Sequence, residues 1–277
     1  MSNLLRRFLT ALVFGPVILS LMYIAPPVGF TVFVGTAVGI AAWELFSLSH
    51  PDRLGRAIGV AVSVGYFLVA RYTDFGRLHG NVFTFATALL APFALLLTLT
   101  RPARIPNALT EVGTLVLGPL YIGAMMATIP LMLDIGTRTQ GAGLVLLTLM
   151  IAWLSDTVAM FFGKTFGGPK LYPAVSPNKT WSGSLGGLLG SMLGAAVAHF
   201  GYLPSLPLGA GLAVAAVAGA VGQAGDLCES VLKRAVGVKD SGAVLPGHGG
   251  FLDRIDALTF AAASVYLALR AGWLTLG

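Results

Sequence analysis

Nine stretches of roughly twenty mostly apolar residues run through this chain, at about 4–25, 28–48, 57–71, 82–100, 112–133, 141–163, 183–203, 207–226 and 254–276. A helix needs about 20 such residues to cross the hydrocarbon of a bilayer. Charged residues make up only 10% of the 277, against roughly a quarter in soluble domains. The chain therefore lacks the polar surface to fold in water. That excludes a cytosolic enzyme, a disordered regulator and a secreted disulfide scaffold. The single cysteine, Cys228, excludes an internal disulfide and a multi-cysteine zinc site. The expected fold class is an all-α integral membrane protein of about nine transmembrane helices.

The basic residues orient it. Arg6, Arg7, Arg53, Arg56, Arg101, Arg104, Lys164, Lys170, Lys179, Lys233, Arg234, Lys239 and Arg254 fall in alternate connections on one side, and only Arg71, Arg77, Arg138 and Arg270 on the other. Basic residues accumulate on the cytoplasmic side, so the N-terminus is expected there, with nine spans placing the C-terminus outside. The net charge of +6 follows from this topology, and without a basic run no nucleic-acid partner is expected. Arg6 and Arg7 ahead of an apolar run resemble a signal peptide, but no small-x-small cleavage site follows, so a retained first helix is expected. Small-xxx-small spacings at Gly35 and Gly39, Gly183 and Gly187, and Gly186, Gly190 and Gly194 predict close helix packing within the chain; a homodimer interface is the second reading.

The chain divides by chemistry into a multispan region, 1–140, and a region 141–277 with cytoplasmic loops 164–182 and 227–253. The second holds Asp156, Asp226, Glu229, Asp253 and Asp256, all near expected cytoplasmic helix ends. A carboxylate within a span is costly and points to function. Asp226 and Glu229, like Asp253 and Asp256, lie three apart and share a helix face. The two pairs flank one loop, so an antiparallel helix pair brings them together, and clustered hard oxygens suit magnesium. Salt bridging to Lys233, Arg234 and Arg254 is the structural alternative. Glu44, in the second span, reads as a helper or a snorkelling boundary carboxylate.

Both cytoplasmic loops mix glycine, proline, hydroxyls and cations. From Ser176 to Gly183 the first runs straight into a span, so its amides and a helix N-terminus can face an anion. Gly163-Lys164-Thr165 is not a phosphate-binding P-loop, because Val158 stands where glycine is needed and a span precedes it instead of a strand. The second loop sets Lys233, Arg234 and Lys239 beside the acidic pairs and His248 among Gly247, Gly249 and Gly250. A lone histidine is more often structural than catalytic.

The stretch from Ser230 to Asp256 resembles the signature of the phosphatidate cytidylyltransferases, or CDP-diacylglycerol synthases. It matches through Ser230, Lys233, Arg234, Lys239, Asp240, Gly242, Pro246, His248, Gly249, Gly250, Asp253, Arg254 and Asp256. Gly225-Asp226-Leu227, Asp156-Thr157 and Ser176-Pro-Asn-Lys-Thr180 resemble further elements of that family. Ser182 departs from it, standing where many members carry glutamate, and is left off the site. The close matches cover the second half of the chain.

The resemblance implies an enzyme with its active site in the cytoplasm-facing loops and helix ends of the C-terminal half. It would join CTP and phosphatidate into CDP-diacylglycerol and pyrophosphate, the lipid entering sideways from a cytoplasmic (inner) membrane crossed many times. The implied catalytic set is Asp226, Asp253, Asp256, Lys233, Arg234 and His248. Ser176, Asn178, Lys179, Lys239, Asp240 and Arg254 would bind substrate. Mg2+ would be held by Asp226, Asp253 and Asp256, with room for a second, monovalent cation such as K+. Two other readings stand beside it. A transporter explains the intramembrane acids but not the glycine-rich basic loops on one face. A related transferase acting on another lipid would share the same headgroup residues.

Overall fold

The computed structural model describes residues 15–50, 52–73, 81–242, 244 and 249–277. Seven of its helices are long and apolar enough to cross a membrane. They are α2 (Pro27–Ser49), α3 (Arg53–Tyr72), α4 (Asn81–Leu99), a composite rod Arg104–Met132, α7 (Arg138–Phe166), the rod Trp181–Tyr202 that begins with α8 (Trp181–Val197), and α9 (Leu208–Ala235). The composite rod contains α5 (Ala108–Gly118) and α6 (Met125–Met132). Helix α1, residues 15–23, precedes them, and α10 (Leu252–Arg270) follows. The chain is a helical, multi-pass membrane protein.

Capping residues explain where the spans exceed the apolar pattern. Asp52 Oδ2 accepts the Gly55 amide at 2.7 Å, which starts α3 at Arg53 and turns the short 57–71 stretch into a full span. Thr137 and Gln140 form a reciprocal capping box that begins α7. Pro119 brings no amide proton to the helical ladder, and the rod passes through a wider π-type turn over Pro119–Ala124 before continuing as α6. At the far end the helix expected over 254–276 stops at Arg270. Gly272 adopts φ 74°, a left-handed stop, and the tail folds back so that the Gly277 amide reaches Ser205 O at 2.8 Å. Helix α9 runs past residue 226 to Ala235, so Glu229, Lys233 and Arg234 are helical residues and not part of the loop expected over 227–253.

The small-residue spacing is spent on intrachain packing. A Cβ at Gly190 would overlap Leu154 O, and one at Gly194 would lie 3.1 Å from the Met150 carbonyl carbon, so α8 lies directly on α7. Helices α9 and α10 complete this bundle, and α10 also packs on α6 and α2. One continuous apolar core draws on residues from Met22 to Leu274. The connections gather at two ends. Arg71 bridges to Asp134 at 2.7 Å and Arg138 donates to the carbonyls of Leu21 and Ala25 at one end. At the other end, Asp52 pairs with Arg101 and Arg104.

Candidate active site

The segment between α7 and α8 was expected to be loop. It holds a two-stranded antiparallel hairpin, β1 (Lys170–Tyr172) and β2 (Ser176–Thr180), pairing Lys170 with Thr180 and Tyr172 with Ser176. Gly167 and Gly168, at φ 59° and 101°, take left-handed turns that a side chain would resist, and these end α7 and swing the chain into β1. Thr180 then caps α8, its Oγ1 accepting the Gly183 amide at 3.1 Å. That amide was expected to face an anion; the cap engages it instead. Ser182, at the position where the resemblance expects glutamate, donates its hydroxyl to the Gly167 carbonyl and ties the hairpin to both helix ends.

Strand β2 overhangs a cavity of about 700 Å³ between α7, α8, α9 and α10. Asp156 from α7, Asn178 and Lys179 from β2, Asp226 and Lys233 from α9, and Asp253, Arg254 and Asp256 from α10 line it. Asp156 lies ten residues before the end of α7, about 15 Å along the axis, yet is exposed to this space. A carboxylate at that depth requires a wet cavity.

The side chains fall into two groups. Lys179 pairs with Asp226 across the mouth. Deeper, Lys233 pairs with Glu229 one turn earlier on its own helix, and with Asp253 Oδ1 at 2.6 Å on α10. Asp253 also accepts the amides of Ser241 at 3.2 Å and Gly250 at 3.0 Å. Glu229 is 1% and Lys233 8% exposed, so this trio meets the demand that buried charge be paired. Asp256 Oδ1 accepts the Ala257 amide at 2.7 Å, and Asp256 lines the same cavity as Asp226 and Asp156. Among the described residues no three His, Cys, Asp or Glu side chains converge to hold a metal ion by themselves.

The residues picked from sequence thus divide. Asp226, Asp253, Asp256, Lys233, Asn178, Lys179 and Arg254 meet at the cavity, whereas Ser176, Arg234, Lys239 and Asp240 are not in its lining. Arg234 spans two connections instead, donating to Val238 O at 2.7 Å and Val175 O at 3.4 Å. His248 lies outside the described residues. Ser184 and Gln223, uncharged and outside the recognised motifs, also line the cavity and bond to each other, Ser184 Oγ donating to Gln223 Oε1 at 2.6 Å. The signal was present: Gln223 is a polar residue within a span, one turn before Asp226 on the same face.

The chain is 36% identical over 273 residues to the phosphatidate cytidylyltransferase of Brucella abortus, covering 96% of this chain and 93% of the relative. It is 36% identical over 281 residues to that of Pseudomonas aeruginosa, covering 97% and 98%. It is 31% identical over 274 residues to that of Bacillus subtilis, again covering 97% and 98%. The profile of the cytidylyltransferase family matches residues 5–271, and the chain belongs to that family.

Proposed function

We infer that the chain transfers the cytidylyl group of CTP to phosphatidate, giving CDP-diacylglycerol and pyrophosphate for phospholipid synthesis. The likeness to phosphatidate cytidylyltransferases along almost the whole chain carries this reading, and the cavity supplies the chemistry. A phosphate oxygen of phosphatidate attacks the α-phosphorus of CTP, the bond to the bridging oxygen breaks, and pyrophosphate leaves with the electron pair. Such a transfer asks for positioning and charge neutralisation more than for covalent help. Lys179, Lys233 and Arg254, with Lys164 at the rim, provide the positive side chains. Asp253 and Glu229 fix the Lys233 ammonium in place. Met160 and Leu171 give the lining an apolar edge suited to the diacylglycerol part of the acceptor.

Magnesium fits this lining. Four carboxylates, Asp156, Asp226, Asp253 and Asp256, face four cationic side chains, Lys164, Lys179, Lys233 and Arg254, which leaves no surplus positive charge for a polyphosphate. Mg2+ takes one or two carboxylates and completes its shell with phosphate oxygens and water. Asp226, on releasing Lys179, and Asp256, with Asp156 beside them, would hold it. Asp253, which the sequence reading also made a ligand, is engaged by Lys233 and two amides and joins only by exchanging those bonds. Bound there, the metal would neutralise charge on the departing pyrophosphate.

The chain would cross a cytoplasmic (inner) membrane nine times, with the cavity opening to the cytoplasm where CTP is found. Single cysteines at Lys170 and at the exposed Lys239, in a background with the exposed Cys228 replaced by alanine, should be labelled only from the cytoplasmic side. For the reaction, detergent-purified protein given CTP and phosphatidate should release pyrophosphate in a magnesium-dependent manner and form the matching liponucleotide. CTP binding without release would move the acceptor to another lipid. Absence of CTP binding would restore the transporter reading.

A further inference from the structure

Glu44 sits on α2, in the half of the chain that contributes nothing to the cavity lining, and is 2% exposed. Its Oε2 accepts the Ser241 hydroxyl at 3.0 Å and the Leu252 amide at 2.8 Å. These donors bracket the latter part of the connection between α9, which ends at Ala235, and α10, which begins at Leu252. The Ser241 amide in turn reaches Asp253, and Leu252 is the residue before it. One carboxylate oxygen therefore clasps both ends of the segment that places Asp253 and, through it, Lys233. Burying a carboxylate is costly unless it is hydrogen-bonded, and Glu44 Oε1 is buried without a partner among the described residues, so apolar packing alone would be better served by another residue.

Two glycines are fitted to the clasp. A Cβ at Gly242 would overlap Glu44 Oε1, and one at Gly250 would overlap Ser241 Oγ. Neither has a positive φ. Contact with the clasp, and not backbone conformation, demands glycine at both positions.

We propose that Glu44 is a positioning residue for cytidylyl transfer. It holds the α9–α10 connection against the N-terminal half, so that the amides of Ser241 and Gly250 fix Asp253 and Asp253 fixes Lys233 at the cavity. The proposal rests on the reading of that cavity as the reaction site.

The test is a set of variants in full-length protein, assayed for turnover, CTP dependence and thermal unfolding. Glu44→Ala should lower kcat by about tenfold, the size expected for removing the partner of two buried donors, and leave the KM for CTP within about twofold, since Glu44 does not touch nucleotide. Glu44→Gln, which keeps an acceptor oxygen, should recover most of the loss. Gly242→Ala should cost about tenfold alone but less than about twofold when combined with Glu44→Ala, because the clash partner is gone. If Glu44→Ala does not survive extraction, Glu44→Asp serves in the same cycle, its shorter side chain drawing back from the added methyl. Wild-type turnover in Glu44→Ala beside an inactive Asp226→Asn overturns the clasp and leaves the cavity reading intact, as does an equal cost of Gly242→Ala in both backgrounds. Turnover surviving in Asp226→Asn overturns the cavity reading and the clasp with it.

Discussion

Two clusters of acidic and basic side chains mark this protein, and they differ in one physical respect. In the N-terminal half, His50, Asp52, Arg101, Arg104 and Glu111 meet where the α2–α3 turn packs against the connection leading into α5. Arg104 bridges to Asp52 and reaches Glu111 at 2.7 Å. The side chains of His50 and Glu111 are 0% and 3% exposed and those of Arg101 and Arg104 13% and 18%, with Asp52 at 40% as the solvent edge, so this cluster is buried at its centre and its charges answer one another. In the C-terminal half, Lys179 and Asp226 keep 31% and 29% exposure and face a cavity of about 700 Å³. Similar residue types are packed into a buried cluster in one place and line an open cavity in the other. The difference lies in whether the helices close over them or splay apart.

Breaking the open cluster should affect chemistry. Asp226→Asn removes one carboxylate of the proposed metal pair and releases Lys179. Turnover should fall about a thousandfold, within the range seen for losing a preorganised charge-stabilising group, with the unfolding temperature nearly unchanged. Near-normal turnover in a pyrophosphate-release assay would remove Asp226 from the reaction.

Breaking the closed cluster should affect stability. Burial, reinforced by the nearby Arg104 cation, lowers the His50 pKa from 6.5 to about 4. The unfolded chain therefore takes up this proton first, and stability present above pH 6.5 is lost as pH falls towards 4. At about 1.4 kcal/mol per unit the loss is on the order of 3 kcal/mol. His50→Gln should flatten the dependence of unfolding on pH across that window; an unchanged slope would show that His50 is not its source.

A smaller effect separates the two ends of the open cluster. Lys179→Ala should raise the KM for CTP about tenfold with a lesser change in kcat, the pattern expected for lost ground-state binding. Unaltered CTP kinetics would remove the hairpin from the nucleotide site. The smallest effect is expected for Arg104→Gln, with turnover per folded molecule within about twofold of wild type and a lower unfolding temperature. A large loss of turnover in stable Arg104→Gln protein would join the two clusters functionally and end the contrast.

The site was legible where the sequence placed charge within apolar surroundings. Asp226, Asp253, Asp256 and Lys233 stand out because each is costly near a membrane, and all line the cavity or its wall. Lys239, Asp240 and Ser176, which the family resemblance added, stay outside the lining, because a matching motif does not say which way a connection folds. Gln223 and Ser184 escaped notice because a neutral polar side chain in a span is a weak signal until its partner is seen. The hairpin escaped because its strands are only three and five residues long, too short for an alternating pattern to register.

The sequence by itself determined that this chain lives in a membrane, roughly where its helices run, and which half carries the charged residues that line the cavity. Hydrophobic length and the cost of buried charge are local properties that a linear reading can measure. Tertiary structure decided the rest: that Lys179 meets Asp226, that Lys233 is shared by Glu229 and Asp253, and that Glu44 reaches 197 residues along the chain to Ser241. Those pairings depend on which helices become neighbours and in what rotation. That is fixed by glycine contacts, caps and turns acting together, and no stretch of sequence contains it alone.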